Sequence, residues 1–145
     1  MRIRLLATLL ALAAFGAAAP AESSSPPTVK AQPSSYGRIL FDGRGFVLYG
    51  FTRDPRGKSA CSGSCAAAWP PYLVKSRPHA GAGAAGRLLG TTRRRDGSLQ
   101  ATYAGRPLYY YVGDRKPGQI LCQNVLEFGG VWRVVRPSGG LVNHR

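Results

Sequence analysis

Three groups of side chains in this 145-residue sequence could do chemistry: three cysteines, two aspartates that each follow an aromatic run, and three consecutive arginines. Cys61 and Cys65 are separated by Ser-Gly-Ser, and Cys122 lies far downstream. Outside the cytosol thiols oxidise, and three cysteines allow three single bridges. The expected pairing is the local one, Cys61 to Cys65, which a bent loop can bring within bonding geometry. Cys122 is then free. The rival pairing joins Cys122 to one of the other two and closes a much longer loop. A redox dithiol is disfavoured by the C-x-x-x-C spacing and by the lack of a thioredoxin-like helix. Neither His79 nor His144 has the short, regular spacing to a cysteine that zinc sites show. No metal and no cofactor is expected.

Asp54 and Asp114 are two of only six acidic residues. Paired carboxylates could serve as acid and base or hold a cation through oxygen. Each also precedes a glycine-containing turn, Asp54-Pro55-Arg56-Gly57 and Asp114-Arg115-Lys116-Pro117-Gly118. An aspartate there accepts hydrogen bonds from the turn's own N–H groups, and this is the role expected of both. Tyr49 and Phe51, like Tyr109 and Tyr111, share one face of a strand. They could form an aromatic platform for a planar ligand; a core layer is expected instead, as it is for Trp69 and Trp132.

The elements that must position these residues recur. Leu48, Tyr49, Phe51 and Asp54 map onto Leu108, Tyr109, Tyr111 and Asp114 at one offset (108 − 48 = 60), and Gly45 and Gly105 share it. Cys61 meets Cys122 and Trp69 meets Trp132 only if the second copy is longer by one and then two more residues (122 − 61 = 61; 132 − 69 = 63). Two repeats follow, and the period has to be settled before any fold is assigned. Tyr49-Gly50-Phe51-Thr52-Arg53-Asp54 and Tyr109-Tyr110-Tyr111-Val112-Gly113-Asp114 both fit Y-x-[FWY]-x-x-D. Ser59-x-Cys61-x-Gly63-x-Cys65-Ala66-x-x-Trp69-Pro70-Pro71 supplies a second signature.

On these motifs, from about Tyr36 to Gly139, the chain resembles a family of bacterial secreted repeats of unknown function, predicted lipoproteins that carry the Y-x-[FWY]-x-x-D motif. The resemblance implies a secreted envelope protein. It transfers no catalytic residue, because the family has no established activity. The lipoprotein label does not carry over, since no cysteine follows the apolar run near the N-terminus.

Arg2 and Arg4 precede an apolar run from Leu5 to Ala14, and small residues follow. This is the pattern of a signal peptide, residues 1–21, cleaved after Ala21. The run is too short for the roughly 20 residues a membrane-spanning helix needs. Cleavage leaves 124 residues (145 − 21), enough for one compact all-β domain. Residues 22–35, rich in Ser and Pro, are expected to form a flexible leader, and 36–145 the repeat domain, with repeat one at about 36–78 and repeat two at about 87–140. His79 to Gly86 reads HAGAGAAG and is expected to be the loop between them.

Antiparallel hairpins are expected at Asp42-Gly43, between Arg38–Phe41 and Gly45–Phe51, and at Asp96-Gly97, between Leu88–Arg93 and Ser98–Tyr103. Further strands are expected at Leu108–Val112 and Val131–Val135. One short helical turn is expected at Ser64–Trp69, with Ser64 as N-cap and Pro70 as its stop.

The full chain has 20 Lys and Arg against 6 Asp and Glu. After cleavage the net charge is +12 (20 − 2 − 6), with Arg93, Arg94 and Arg95 as the densest cluster. A field of that sign attracts anionic polymers. Outside the cytoplasm these are envelope phosphates, acidic glycans and lipid head groups, and nucleic acid is not expected. Arg94 and Arg95, on the approach to the Asp96-Gly97 turn, are expected to be solvated.

Two function classes follow. One is a secreted, non-catalytic protein that binds an anionic envelope component. The other is an extracytoplasmic redox or cation-handling protein using Cys61, Cys65, Cys122, Asp54 or Asp114. The first is preferred, because the sequence holds no Ser/His/Asp constellation, phosphate-cradling glycine loop or histidine-rich metal pattern.

Overall fold

A computed structural model describes residues 25–144. The expected signal peptide and the start of the leader lie outside them. The described chain is all-β, built as three small sheets with one short α-helix and one 3-10 turn, Gly86–Leu88. Strands β1 (Thr28–Ser34) and β2 (Gly37–Asp42) form an antiparallel hairpin. The two-residue β4 (His79–Ala80) joins the other edge of β1 in parallel, so this sheet is mixed. Strands β5 (Leu89–Arg93), β6 (Leu99–Tyr103) and β7 (Arg106–Pro107) form a second, antiparallel sheet. The third places β3 (Tyr49–Phe51), from repeat one, against β9 (Gly130–Val134) and β8 (Val125–Glu127), from repeat two. No helix among the described residues is long and apolar enough to cross a membrane.

The expected leader needs correction. Residues 28–34 are not flexible: they are the central strand of the first sheet, and the first unit begins there, with β1 and β2 answering β5 and β6. The cause is a short alternation inside the Ser/Pro-rich stretch. Val29 and Ala31 point to the core and are fully or almost fully buried, while Thr28, Lys30 and Gln32 lie half-buried between them.

Both Asp-Gly turns form, with the Gly45 N–H returning to the Asp42 carbonyl (3.1 Å) and the Gly97 N–H to the Arg94 carbonyl (3.0 Å). Only the second closes the expected hairpin: β2 pairs with β1, and the strand expected over Gly45–Phe51 meets it at one bridge, Phe41 to Val47, before β3 pairs with β9. The strand expected over Leu108–Val112 shrinks to bridges at Tyr109, which pairs with Tyr49 on one side and Pro71 on the other. Proline has no N–H to donate, so Pro70 and Pro71 leave only a short ladder, in which Tyr110 donates to the Pro70 carbonyl at 2.8 Å. Helix α1 (Ser64–Ala68) starts one residue earlier than expected: Gly63, at φ 59°, occupies the N-cap and no side chain caps it. Its end is as expected, with Pro70 barring continuation. In repeat two the matching stretch is the β8–β9 hairpin. The extra residues there are spent on that hairpin.

Two apolar clusters fill the interior. One gathers Trp69, Trp132, Tyr49, Tyr109 and Phe51 with both bridged cysteines; the other gathers Val29, Leu40, Leu48, Tyr103, Leu108 and Val135. Among the described residues no buried side-chain N or O atom lacks a hydrogen-bond partner, as expected of a well-formed interior.

Candidate functional site

The repeats meet where Tyr49 and Tyr109 lie opposite each other and exchange both backbone hydrogen bonds, at 2.8 and 3.0 Å. From that point the two motifs cross. The Tyr49 hydroxyl donates to Asp114 (2.6 Å) and the Tyr109 hydroxyl donates to Asp54 (2.8 Å). Each aspartate's other oxygen takes an N–H of its own loop, from Ala60 (2.7 Å) and from Leu121 (2.9 Å). The expected bonds to the N–H groups of the turns at 54–57 and 114–118 are replaced by amides six and seven residues on, just past those turns, and by the tyrosine of the opposite repeat.

The aromatic residues follow the same exchange. The Trp69 and Trp132 rings stack at 4.1 Å and 4°. Phe51 of repeat one stacks on Trp132 at 4.1 Å, and Tyr111 of repeat two tilts over Trp69 at 4.8 Å. Tyr49 and Tyr109 meet the tryptophans of their own repeats edge-on, a geometry the ring quadrupole favours. Both indole N–H groups turn to Glu127, one to its carboxylate (2.7 Å) and one to its carbonyl (3.3 Å). Glu127 lies where the second copy is longer, so no counterpart at the repeat offset marked it.

Gly45 and Gly105 repeat the crossing at backbone level. Both have positive φ, 93° and 77°. The Gly45 carbonyl accepts from Gly118 (2.9 Å) and the Gly105 carbonyl from Gly57 (2.7 Å), again across the repeats.

Burial sets the electrostatics of this centre. It raises Asp54 to about 6, against the Ala60 amide, the Tyr109 hydroxyl and the charges of Arg94 and Arg106, all of which favour the carboxylate. Asp114 is raised for the same reason. The Tyr49 and Tyr109 hydroxyls are pushed up by burial and by the acids they face, so they stay protonated and donate. Among the described residues no group of three or more His, Cys, Asp or Glu could hold a metal ion.

Cys61 and Cys65 are joined, and both residues are buried. Cys122 is free and half-buried, its thiol pushed up chiefly by that burial, with the Tyr111 hydroxyl acting the other way.

The three arginines do not act alike. Arg93 and Arg95 are exposed, but Arg94 turns inward. It donates to the Ser59 hydroxyl (3.0 Å), the side-chain oxygen of buried Gln100 (2.7 Å) and the Cys61 carbonyl (2.6 Å). The expectation that Arg94 is solvated is therefore corrected. Strand alternation carries past the end of β5, so Arg94 falls on the same face as Thr92, whose hydroxyl donates to the Gly57 carbonyl (2.7 Å). That face runs along residues 57–61 of repeat one.

Between them lies a cleft of about 430 Å³, lined by Lys58, Ser59, Ser62, Gly63, Arg93, Arg94, Arg95 and Asp96 among others. Four cations face one acid there. Asp96 is itself occupied by the Ser98 hydroxyl (2.6 Å) and N–H (2.9 Å), which hold its carboxyl below the usual range. Lys58 was not singled out in the sequence because it stands alone; only the fold brings it beside the arginines.

A family model described as a secreted repeat of unknown function matches residues 31–72 and 90–136, together more than half of the chain. No curated protein and no solved structure matches it.

Proposed function

The chain belongs to this family of secreted repeats of unknown function, and on that premise we propose that it is a non-catalytic protein, exported with cleavage after Ala21, that binds an anionic polymer of the cell envelope. The observation that carries the reading is the cleft at the disulfide loop. Arg94 is fixed there by three hydrogen bonds, while Lys58, Arg93 and Arg95 line the same space with exposed side chains. A fixed guanidinium orients a phosphate or carboxylate, and the exposed cations around it add attraction.

The alternative, redox or cation handling, has less support. The bridged cysteines are buried, and both aspartates already accept a tyrosine hydroxyl and an amide.

The test is binding of a phosphate-rich polymer, teichoic acid, to the parent and to Lys58→Gln/Arg93→Gln/Arg95→Gln. Attraction between exposed charges is screened over about 8 Å at physiological salt. Parent affinity is expected to fall steeply with salt, and the triple variant to bind weakly with a flatter salt dependence. Its melting temperature should hardly move, since exposed positions usually contribute within about ±0.5 kcal/mol. A triple variant that binds as well as the parent removes the cleft from the account.

A further inference from the structure

A second concave site lies against the first sheet, outside the cleft described above. It is a groove of about 840 Å³, within the size range of pockets for small organic ligands. Its walls are apolar: Tyr72 and Tyr110, with rings 5.3 Å apart, then Val74, Leu73, Pro26 and Pro27. Leu73 is 51% exposed there.

The wall formed by residues 26–28 is pinned. The Tyr72 hydroxyl accepts the Thr28 N–H (3.1 Å) and donates to the Thr28 carbonyl (3.2 Å). The Pro27 carbonyl takes the His79 N–H at 2.8 Å. The concavity is thus built by the fold and needs no ligand to form it.

Three cations and one acid line the groove: Lys30, Arg44, Lys75 and Asp42. The acid is spent. Asp42 is 2% exposed and accepts the Arg44 and Phe46 amides, both at 2.9 Å, the Tyr110 hydroxyl at 3.0 Å and the Arg44 guanidinium at 2.9 Å. That pairing neutralises Arg44 and fixes its guanidinium near the Tyr110 ring, 5.9 Å from the centroid. Lys30 reaches only the Gly43 carbonyl (3.2 Å), and Lys75 is exposed. Two positive charges are left uncompensated beside an apolar floor.

We infer that this groove binds a small amphiphilic organic anion, with its apolar body against Tyr72, Tyr110 and Leu73 and its carboxylate or sulfonate toward Lys30 and Lys75. Charge complementarity selects the anion, and the apolar walls select against a bare inorganic ion, which would gain nothing from them. The inference is independent of polymer binding at the disulfide loop.

The experiment uses the exported protein and anilinonaphthalene sulfonate as probe, read by its fluorescence, with 2-naphthoate and decanoate as competitors. Saturable binding at one site is expected. It should weaken about tenfold or more, some 1.4 kcal/mol, in Lys75→Glu and in Leu73→Asp. Both positions are exposed, so each variant should melt with the parent. Displacement by 2-naphthoate alone identifies a flat aromatic body, by decanoate alone an alkyl chain, and by both the shared class. Absence of saturable binding in the parent, or variants that bind as tightly as the parent, overturns the assignment; Lys58→Gln/Arg93→Gln/Arg95→Gln should bind the probe unchanged.

Discussion

Burial acts on the Asp54 carboxyl against the Ala60 amide, the Tyr109 hydroxyl and two arginines, and burial wins, holding it at about 6 where an ordinary aspartate sits at 3.8. The folded protein therefore binds this proton more tightly than the unfolded chain does. Its contribution to stability is complete below about pH 4 and is lost as pH rises through about 6. Tyr109→Phe removes a donor to the charged form, so it should raise the Asp54 value further and move the loss of stability to higher pH. Carbon-detected NMR titration of the Asp54 carboxyl checks both; a midpoint near 4 in the parent, or a lower one in the variant, contradicts the assignment. That the two aspartates bond backbone N–H groups of their own repeat was legible, but the amides are those of Ala60 and Leu121, past the turns expected to supply them. Their tyrosine partners were not legible, since these stand 65 and 55 positions away and no local rule reaches them. Arg94 was misread for a related reason: a charged triplet looks uniform in sequence, while strand alternation separates its middle member from the outer two.

At the scale of elements, β1 makes the sharpest claim. It lies between β2 and β4 and carries Val29 and Ala31 into the second apolar cluster. A chain beginning at Tyr36 loses both, and burial of Val29 alone is worth about 1.5–3 kcal/mol. It also exposes the inner edge of β2. Such a chain should lose its cooperative thermal transition by circular dichroism; one that melts like a chain beginning at Ser25 would show that β1 is dispensable. The Asp96-Gly97 hairpin was readable from sequence because the turn residues carry the signal, whereas the strand before Asp42-Gly43 was taken by β1, which the sequence had hidden. Strand β1 was masked by a composition typical of disorder, in which two buried side chains are the whole apolar signal. Strand β8 was hidden differently: it occupies the stretch where repeat two departs from repeat one, so the helix of the first copy offered no template for it.

For the whole molecule, the two-repeat all-β architecture was legible in the constant offset of the aromatic motif, while the depth of its interlocking was not. Strand β3 of repeat one pairs with β9 of repeat two, and each tryptophan is covered by a ring from the other half. Fragments 25–78 and 87–145, expressed separately, should each lack a cooperative melt, and mixing them should restore the near-ultraviolet dichroism of the stacked indoles. A fragment that melts cooperatively alone would mean that its half is self-sufficient. The reciprocal contacts have the form of an isologous interface, in which each side presents the same groups to the other. In a dimer of identical chains every substitution at such an interface is made twice, so a change that suits one side is imposed on the other as well. Covalent succession on one chain lifts that constraint. One half here holds a bridged pair and a helix where the other holds a lone Cys122 and a hairpin. The shared centre keeps its matched tyrosines, acids and tryptophans while the periphery is free to specialise, and the basic cleft forms where the bridged loop of one half meets Arg93, Arg94 and Arg95 of the other.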